Sequence, residues 1–537
     1  MDYQRILWND TWLASPMYDQ SMSDNTAPLT YTLEEALTIT RELRERVVRH
    51  EQLLEQLLQQ QPEQRTSKWI PFKGGGVIEP IQPSQKIRKV EALPTRSGDI
   101  VGRLRASWPG RLYTSHLKQY VVIRWIARWI WRNGYPFYVN HFASRLSRTN
   151  NKARRWRPLI KLSEFARKSG IPTYKLVDAA WIETPEPKVF PTSDQGYLVS
   201  PHDRFRFPEI YVATLSDAIT YGGTNLILSN GEVVCHDLYD FERDYTSEEL
   251  HGRALIDPKS RRIRWLLHDE SPEPIPMAAT FVDACASNYA HWMTEVLPRI
   301  VLFCAEERFL GVPIVVNDGL HENIMESLFL VAGSEREIIS LPIGRALAVS
   351  KLYLTSVTGY VPFGRRTNKL SGHSHGQFSP RSFELLRSHL SGIGGQAELE
   401  VWPEKIYLRR NSGARMVTNA SEIEKLLIAK GYVIVEPEKL TFLQQIQLFR
   451  HVKEIVSPTG AALANAIACK PGAQVAILMS KHKDMIYGYW SNLLSPFGIK
   501  VNYVLGSIVN NHDLGMHGDF TVDAGCIDEL LEGFEKK

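Results

Sequence analysis

From Met277 to the end of the chain, short apolar runs alternate with helix-patterned stretches, and this alternation restricts the fold more than any other feature. Runs at 278–283, 312–317, 338–339 and 348–355 each suit a strand, and segments around His291 and at 321–331 read as the helices between them. The pattern restarts near Pro403, with runs at 405–409, 432–436, 454–457 and 474–479. A helix-patterned segment at 461–469, closed by Lys470-Pro471-Gly472, precedes the last of these. Strand–helix–strand units build parallel sheets. The expected class is therefore α/β, with two Rossmann-like domains forming two lobes and a cleft between them. Upstream, from about Pro191, strand-like runs are joined by turns, and Asn230-Gly231 between 225–229 and 232–235 signals a hairpin.

A chain of 537 residues exceeds one core. The expected division is a loosely held N-terminus (1–31), a coiled-coil helix (32–62), a linker (63–95) and a basic helical subdomain (96–190), then an N-terminal lobe (191–385) and a C-terminal lobe with a closing helix (386–537). Residues 32–61 contain no Gly or Pro, and Ala36, Thr40, Leu43, Val47, His50, Leu54 and Leu57 alternate by four and three. That seam suits a homo-oligomeric coiled coil, with packing on its own domain as the other reading. Residues 86–157 carry 17 Lys/Arg against two acidic residues. Within them, Arg124-Trp125, Arg128-Trp129 and Trp131-Arg132 interleave cations with indoles. This suits an anionic membrane interface, with a core helix of a small subdomain as the alternative. No recognition motif accompanies the charge, so nucleic acid is not expected as a partner.

An apolar share of 43% and a charged share of 23% fit a soluble globular protein. The five cysteines are scattered, without a CxxC pair or zinc spacing, so reduced thiols are expected and no metal. The first residues lack a signal-peptide core and no run of about 18 apolar residues occurs. The expected location is the cytoplasm, with peripheral attachment to the inner membrane face.

Two segments carry chemistry. In Asn288-Tyr-Ala-His291-Trp292-Met-Thr-Glu295-Val-Leu-Pro298-Arg299, a helix puts His291 and Glu295 on one face, and Pro298 kinks or ends it. A helix that only packed a core would place apolar residues on that stripe. The second segment, Ser457-Pro-Thr459-Gly460-Ala461-Ala-Leu-Ala-Asn465, reads as a strand, a small-residue turn and a helix start. Such a joint aims backbone N–H groups at one point and suits a phosphate, or is merely close packing.

These segments, together with Ile406-Tyr-Leu-Arg409-Arg410, Arg415 and Gly431-Tyr-Val-Ile-Val-Glu436-Pro437-Glu438-Lys-Leu440-Thr441-Phe442-Leu-Gln444-Gln445, resemble glycosyltransferase family 61, a bacterial capsular or exopolysaccharide type of member. The resemblance covers roughly residues 200–510, with Thr459 where many members have His. It implies a GT-B-like architecture and an inverting transfer from a nucleotide diphosphate sugar, a UDP-sugar being the first choice. A saccharide or lipid-linked saccharide would be the acceptor, in surface polysaccharide assembly.

No Asp-x-Asp occurs, so neutralisation of the diphosphate is assigned to Arg409 and Arg415, with Thr459, Gly460 and Ala461. Strand alternation keeps Arg409 and Arg410 from facing one ligand. Glu436 and Ser457 sit at strand ends, where Glu436 suits a ribose or sugar hydroxyl. Asn465 either pins the turn or reaches the donor. Thr441 and Gln444 read as a capping box. His291 or Glu295 is the expected base, while Asn288, Trp292 and Arg299 bind acceptor or support the site. His373 and His375 read as loop residues. No GxGxxG follows a strand and no GxxxxGK[ST] occurs, which sets aside nicotinamide enzymes and P-loop ATPases. The competing class is a non-catalytic scaffold of a polysaccharide assembly complex.

Overall fold

The computed structural model describes residues 87–91, 156–198, 204–250, 253–265, 271–362, 364–365, 376–392, 402–412, 415–482, 488–510 and 518–535. The N-terminus (1–31), the coiled-coil helix (32–62), most of the linker, the Trp/Arg-rich segment at 116–132 and the His373/His375 loop lie outside the described residues. All described residues belong to one compact unit.

They form a mixed α/β fold with two large sheets. The second is the simpler. Val433–Val435, Lys405–Leu408, Glu454–Pro458, Gln474–Ser480 and Lys500–Asn510 lie side by side and parallel. Asp519–Thr521 adds an antiparallel edge. The chain leaves Lys405–Leu408 on one side, through Ala420–Ala429 to Val433–Val435, and then crosses to Glu454–Pro458 on the other. The order thus reverses between the 405–408 and 454–458 strands, and the crevice outside their carboxyl ends is the natural ligand position of such a sheet.

The first sheet is mixed, with 12 strands, and not the purely parallel unit expected. Its parallel part runs Ile87–Lys89, Ile338–Leu341, Ile314–Asn317, Glu273–Thr280 and Ala346–Thr355. Ile210–Tyr221 then pairs antiparallel with Ala346–Thr355. The Asn230-Gly231 hairpin forms as expected, joining Ile227–Ser229 to Glu232–Cys235 with φ of 50° and 79° at the turn. Here too the order reverses, between the 273–280 and 346–355 strands.

The first sheet also doubles over. Pairing skips Pro276, Ser350 and Asp217 at one level of three adjacent strands, and Asp217 has φ +49°. Thr220 pairs at the level of Leu347, near one end of its strand, yet its hydroxyl lies 3.0 Å from that of Thr280 near the other end. The folded sheet encloses Ile275, Ala278, Leu215, Ala218, Leu347 and Leu352. It also brings the 225–236 hairpin to the carboxyl edge of the 273–280 strand.

The stretch expected as a basic helical subdomain departs from that reading over 156–190. Trp156–Lys161 joins the first sheet beside Glu232–Cys235, and Lys188–Phe190 joins the second beside Lys500–Asn510. The apolar pattern Trp156, Leu159, Ile160 is a strand signal that the preceding basic block concealed, whereas Lys188–Phe190, with 3 residues, is too short to signal a strand.

One continuous apolar cluster connects the two sheets. It runs from Phe281, Trp292, Ile300 and Leu328 to Leu448, Leu463, Ile477 and Tyr503. Helix Phe442–His451 is capped as expected, with Thr441 accepting from Gln444 N–H and Gln444 accepting from Thr441 N–H. Glu326, on the Glu322–Ala332 helix of the first sheet, also accepts from Phe442 N–H at 2.7 Å, so both halves secure this helix start.

Candidate active site

The His291 helix is interrupted. Asn288 caps it, its side chain accepting from Ala290 N–H, and Tyr289–His291 forms one α-turn. A π-helical turn follows at Trp292–Val296, and the α-helix resumes at Leu297–Cys304. Of the two outcomes expected at Pro298, a kink or an end, the helix does not end but is distorted by the π-turn just before it. Pro298 has no N–H for the Thr294 carbonyl, and the wider turn absorbs the mismatch. The Thr294 carbonyl instead packs on Gly359, where a Cβ would stand 2.5 Å from that oxygen. Turns of this kind recur at functional sites.

His291 and Glu295 are 8% and 9% exposed and do meet, Nδ1 against Oε2. The second Glu295 oxygen accepts from Val361 N–H at 2.6 Å. Arg299 donates from Nε to the Glu295 carbonyl at 2.7 Å and lies 3.6 Å from Asp283. Burial alone would lower the His291 pKa, but the attraction and hydrogen bond of Glu295 outweigh it and raise it above 6.5. Burial also raises Glu295, with His291 opposing. Both shifts favour retention of a proton by the couple. Trp292 is core, with its indole N–H donating to Ser327 at 2.8 Å.

A cavity of about 50 Å³ opens on this couple, at the carboxyl ends of the 273–280 and 346–355 strands. Its lining includes Asn225, Asp283, Arg299 and Tyr360, and none of the residues assigned to the donor. Asp283 accepts from Asn225 at 2.9 Å and from Cys285 N–H at 2.9 Å. Sequence reasoning passed over Asp283, although a carboxylate just beyond a central strand is the signal that could have found it.

The donor-side residues are arranged differently from expectation. Arg409 pairs with both oxygens of Glu424 at 2.7 and 2.6 Å, and with Glu436 at 3.2 Å. Glu436 also pairs with Lys439 and Asn411, and these partners hold its pKa down. Strand alternation sends Arg410 the other way, so that a Cβ on Gly460 would stand 2.5 Å from its Nη1. Burial pushes Arg410 down to about 10. Burial, with the charge of Arg410 nearby, pushes Arg415 down to about 9. The arginine at Gly460 is thus Arg410, with Arg415 near enough to feel its charge, whereas Glu424, 15 residues from Arg409, engages Arg409.

The strand–turn–helix joint is present, with Ala461–Ala468 as a 3₁₀-helix in place of the expected α-helix. Ser457 is buried and donates to the Pro458 carbonyl. Thr459 accepts from Trp490 at 3.2 Å. Gly460 and Ala461 stay half-buried at the mouth of the joint. Asn465 is fully buried, accepting from Tyr289 at 2.6 Å and donating to Gln445 at 2.7 Å. It thereby ties the His291 helix to the second sheet.

Residues 289–476 match the family model of glycosyltransferase 61. The matched span begins at the His291 helix and ends within the strand after the Gly460 joint, so it contains both constellations. The match supports a glycosyltransferase 61 assignment and a transferase role for this region. No curated protein matches the chain.

Proposed function

We propose that the protein is a metal-independent, inverting glycosyltransferase of GT-B type. It moves a sugar from a nucleotide diphosphate sugar, a UDP-sugar first among them, to a saccharide or lipid-linked saccharide in bacterial surface polysaccharide assembly. The observation that carries this reading is Arg410, whose half-buried guanidinium stands at Gly460 by the order reversal of the second sheet, with the charge of Arg410 felt by Arg415. A half-buried guanidinium with a second cation nearby favours a ligand with dense negative charge. A diphosphate fits, with the first N–H groups of the 461–468 helix completing its cradle. In this reading the two sheets are the two lobes, and the Tyr289–Asn465 contact marks their junction.

The His291–Glu295 couple removes the proton of the acceptor hydroxyl. That oxygen attacks the anomeric carbon, and the bond to the diphosphate breaks on the opposite face. Its electron pair leaves with the nucleotide, and the configuration inverts. Arg410 and Arg415 take up the developing charge. No described helix is long and apolar enough to cross a membrane. The basic 96–157 segment would hold the enzyme at the cytoplasmic membrane face, and 32–62 would join copies.

A panel of nucleotide sugars tests the proposal. One of them should be hydrolysed slowly without acceptor, and its nucleoside diphosphate should raise the melting temperature. Neither hydrolysis nor a shift with any of them would overturn the proposal in favour of the scaffold.

A further inference from the structure

The cavity beside the couple contains a side chain that the chemistry above does not use. We propose that His236 is a specificity-determining residue of the acceptor pocket, its imidazole binding a second hydroxyl of the acceptor sugar while the reacting hydroxyl meets His291 and Glu295. This rests on the reading of that couple as the acceptor's base.

The doubled first sheet brings the 225–236 hairpin to the carboxyl edge of the 273–280 strand, where Asn225 donates to Asp283 at 2.9 Å. His236 then lines the same cavity as His291, Glu295, Asp283, Arg299 and Tyr360. Its ring packs on Tyr360, with centroids 4.4 Å apart, which fixes its direction. His236 Nδ1, buried in this lining, has no hydrogen-bond partner among the described residues, and Arg299 Nη2 makes no hydrogen bond but has the Asp283 carboxylate at 3.6 Å. Buried polar atoms are normally satisfied, so an unpaired imidazole nitrogen on this small cavity points to an occupant that brings oxygen atoms.

The charges of the wall select the kind of occupant. Asp283 and Glu295 repel a phosphate or carboxylate but accept from hydroxyls. Burial drives His236 down to about 4, so its neutral ring offers one N–H and one lone pair, a match for an alcohol. About 50 Å³ admits one hydroxylated edge of a pyranose and not the whole ring.

The test uses the full chain, the nucleotide sugar it hydrolyses, and methyl glycosides of common hexoses with their monodeoxy forms as acceptors. His236→Ala should raise KM for the preferred glycoside about tenfold while leaving kcat and nucleotide-sugar hydrolysis within about twofold. One monodeoxy glycoside should show that same tenfold loss with the native protein and no additional loss with His236→Ala. His236→Gln, which keeps a donor and an acceptor, should recover part of the affinity and guards against a folding defect in the alanine variant. A loss in kcat at constant KM would overturn the assignment, as would equal sensitivity to every deoxy position or no response to any glycoside. Failure of the base reading is seen separately, as undiminished turnover in Glu295→Gln.

Discussion

The two order reversals of this molecule share a topological device and differ in charge. At the first, outside the 273–280 and 346–355 strands, two imidazoles and three carboxylates line a cavity, and His291 meets Glu295 there. At the second, outside the 405–408 and 454–458 strands, Arg410 crowds Gly460, and the nearby carboxylates Glu424 and Glu436 are engaged by Arg409. A parallel sheet supplies a crevice without dictating its chemistry. The segments that follow the strands differ: Asp283 and the His291–Glu295 couple at the first crevice, Arg410 and Gly460 at the second.

The largest effects should come from removing the proton site alone. His291→Ala and Glu295→Gln should each lower turnover by about 10²–10⁴-fold, the usual range for a positioned acid or base. Nucleotide affinity, measured by calorimetry, should stay within about twofold. A parallel loss of affinity would break the division of labour between the two crevices. The same couple makes a pH prediction. Glu295 holds the His291 pKa above 6.5, whereas burial alone would put it below. The imidazole resonance of His291 should titrate above pH 6.5 in the native protein and below it in Glu295→Gln. The acidic limb of turnover should therefore lie above pH 6.5. A folded pKa above the unfolded one gives stability that is complete below about pH 6.5 and lost as pH rises through the folded value.

The cationic crevice should respond next. Arg410→Ala and Arg415→Ala each remove a charged partner of the diphosphate, where hydrogen bonds to charged groups contribute about 1.5–3 kcal/mol. Nucleoside diphosphate binding should weaken by about 10–100-fold, with the nucleoside alone little affected. Arg409→Ala should leave binding within about threefold, because its guanidinium is already engaged by Glu424 and Glu436. The reverse ranking would restore Arg409 to the site and remove the present distinction.

That ranking also shows what was legible in the sequence. Features set by neighbours along the chain were legible: the His291–Glu295 spacing, the Asn230-Gly231 hairpin and the Thr441–Gln444 capping box all form. Alternation correctly separated Arg409 from Arg410. Choosing between them needed Glu424, whose position depends on how the 420–429 helix packs. The proline of the Pro298 turn was visible, but the compensating π-turn was not, since it depends on the close approach of Gly359. His236 reaches the cavity only through the doubling of the first sheet, which no local pattern announced. The strand at 156–161 was hidden by the basic composition before it, and the one at 188–190 has only 3 residues, too few to show a pattern.

The smallest perturbation tests the second crevice most sharply. Gly460 has φ −173°, an extended backbone that alanine adopts without strain, so Gly460→Ala should fold with an unchanged melting temperature. Its new methyl would stand 2.5 Å from Arg410 Nη1, the far end of a long side chain, and would displace that guanidinium. Diphosphate affinity should fall by about threefold to tenfold, less than in Arg410→Ala, because the charge stays nearby at a longer distance. In the Arg410→Ala background the same methyl should cost nothing further, since the atom it displaces is gone. Full additivity of the two changes would mean that Gly460 acts on the ligand directly and not through Arg410.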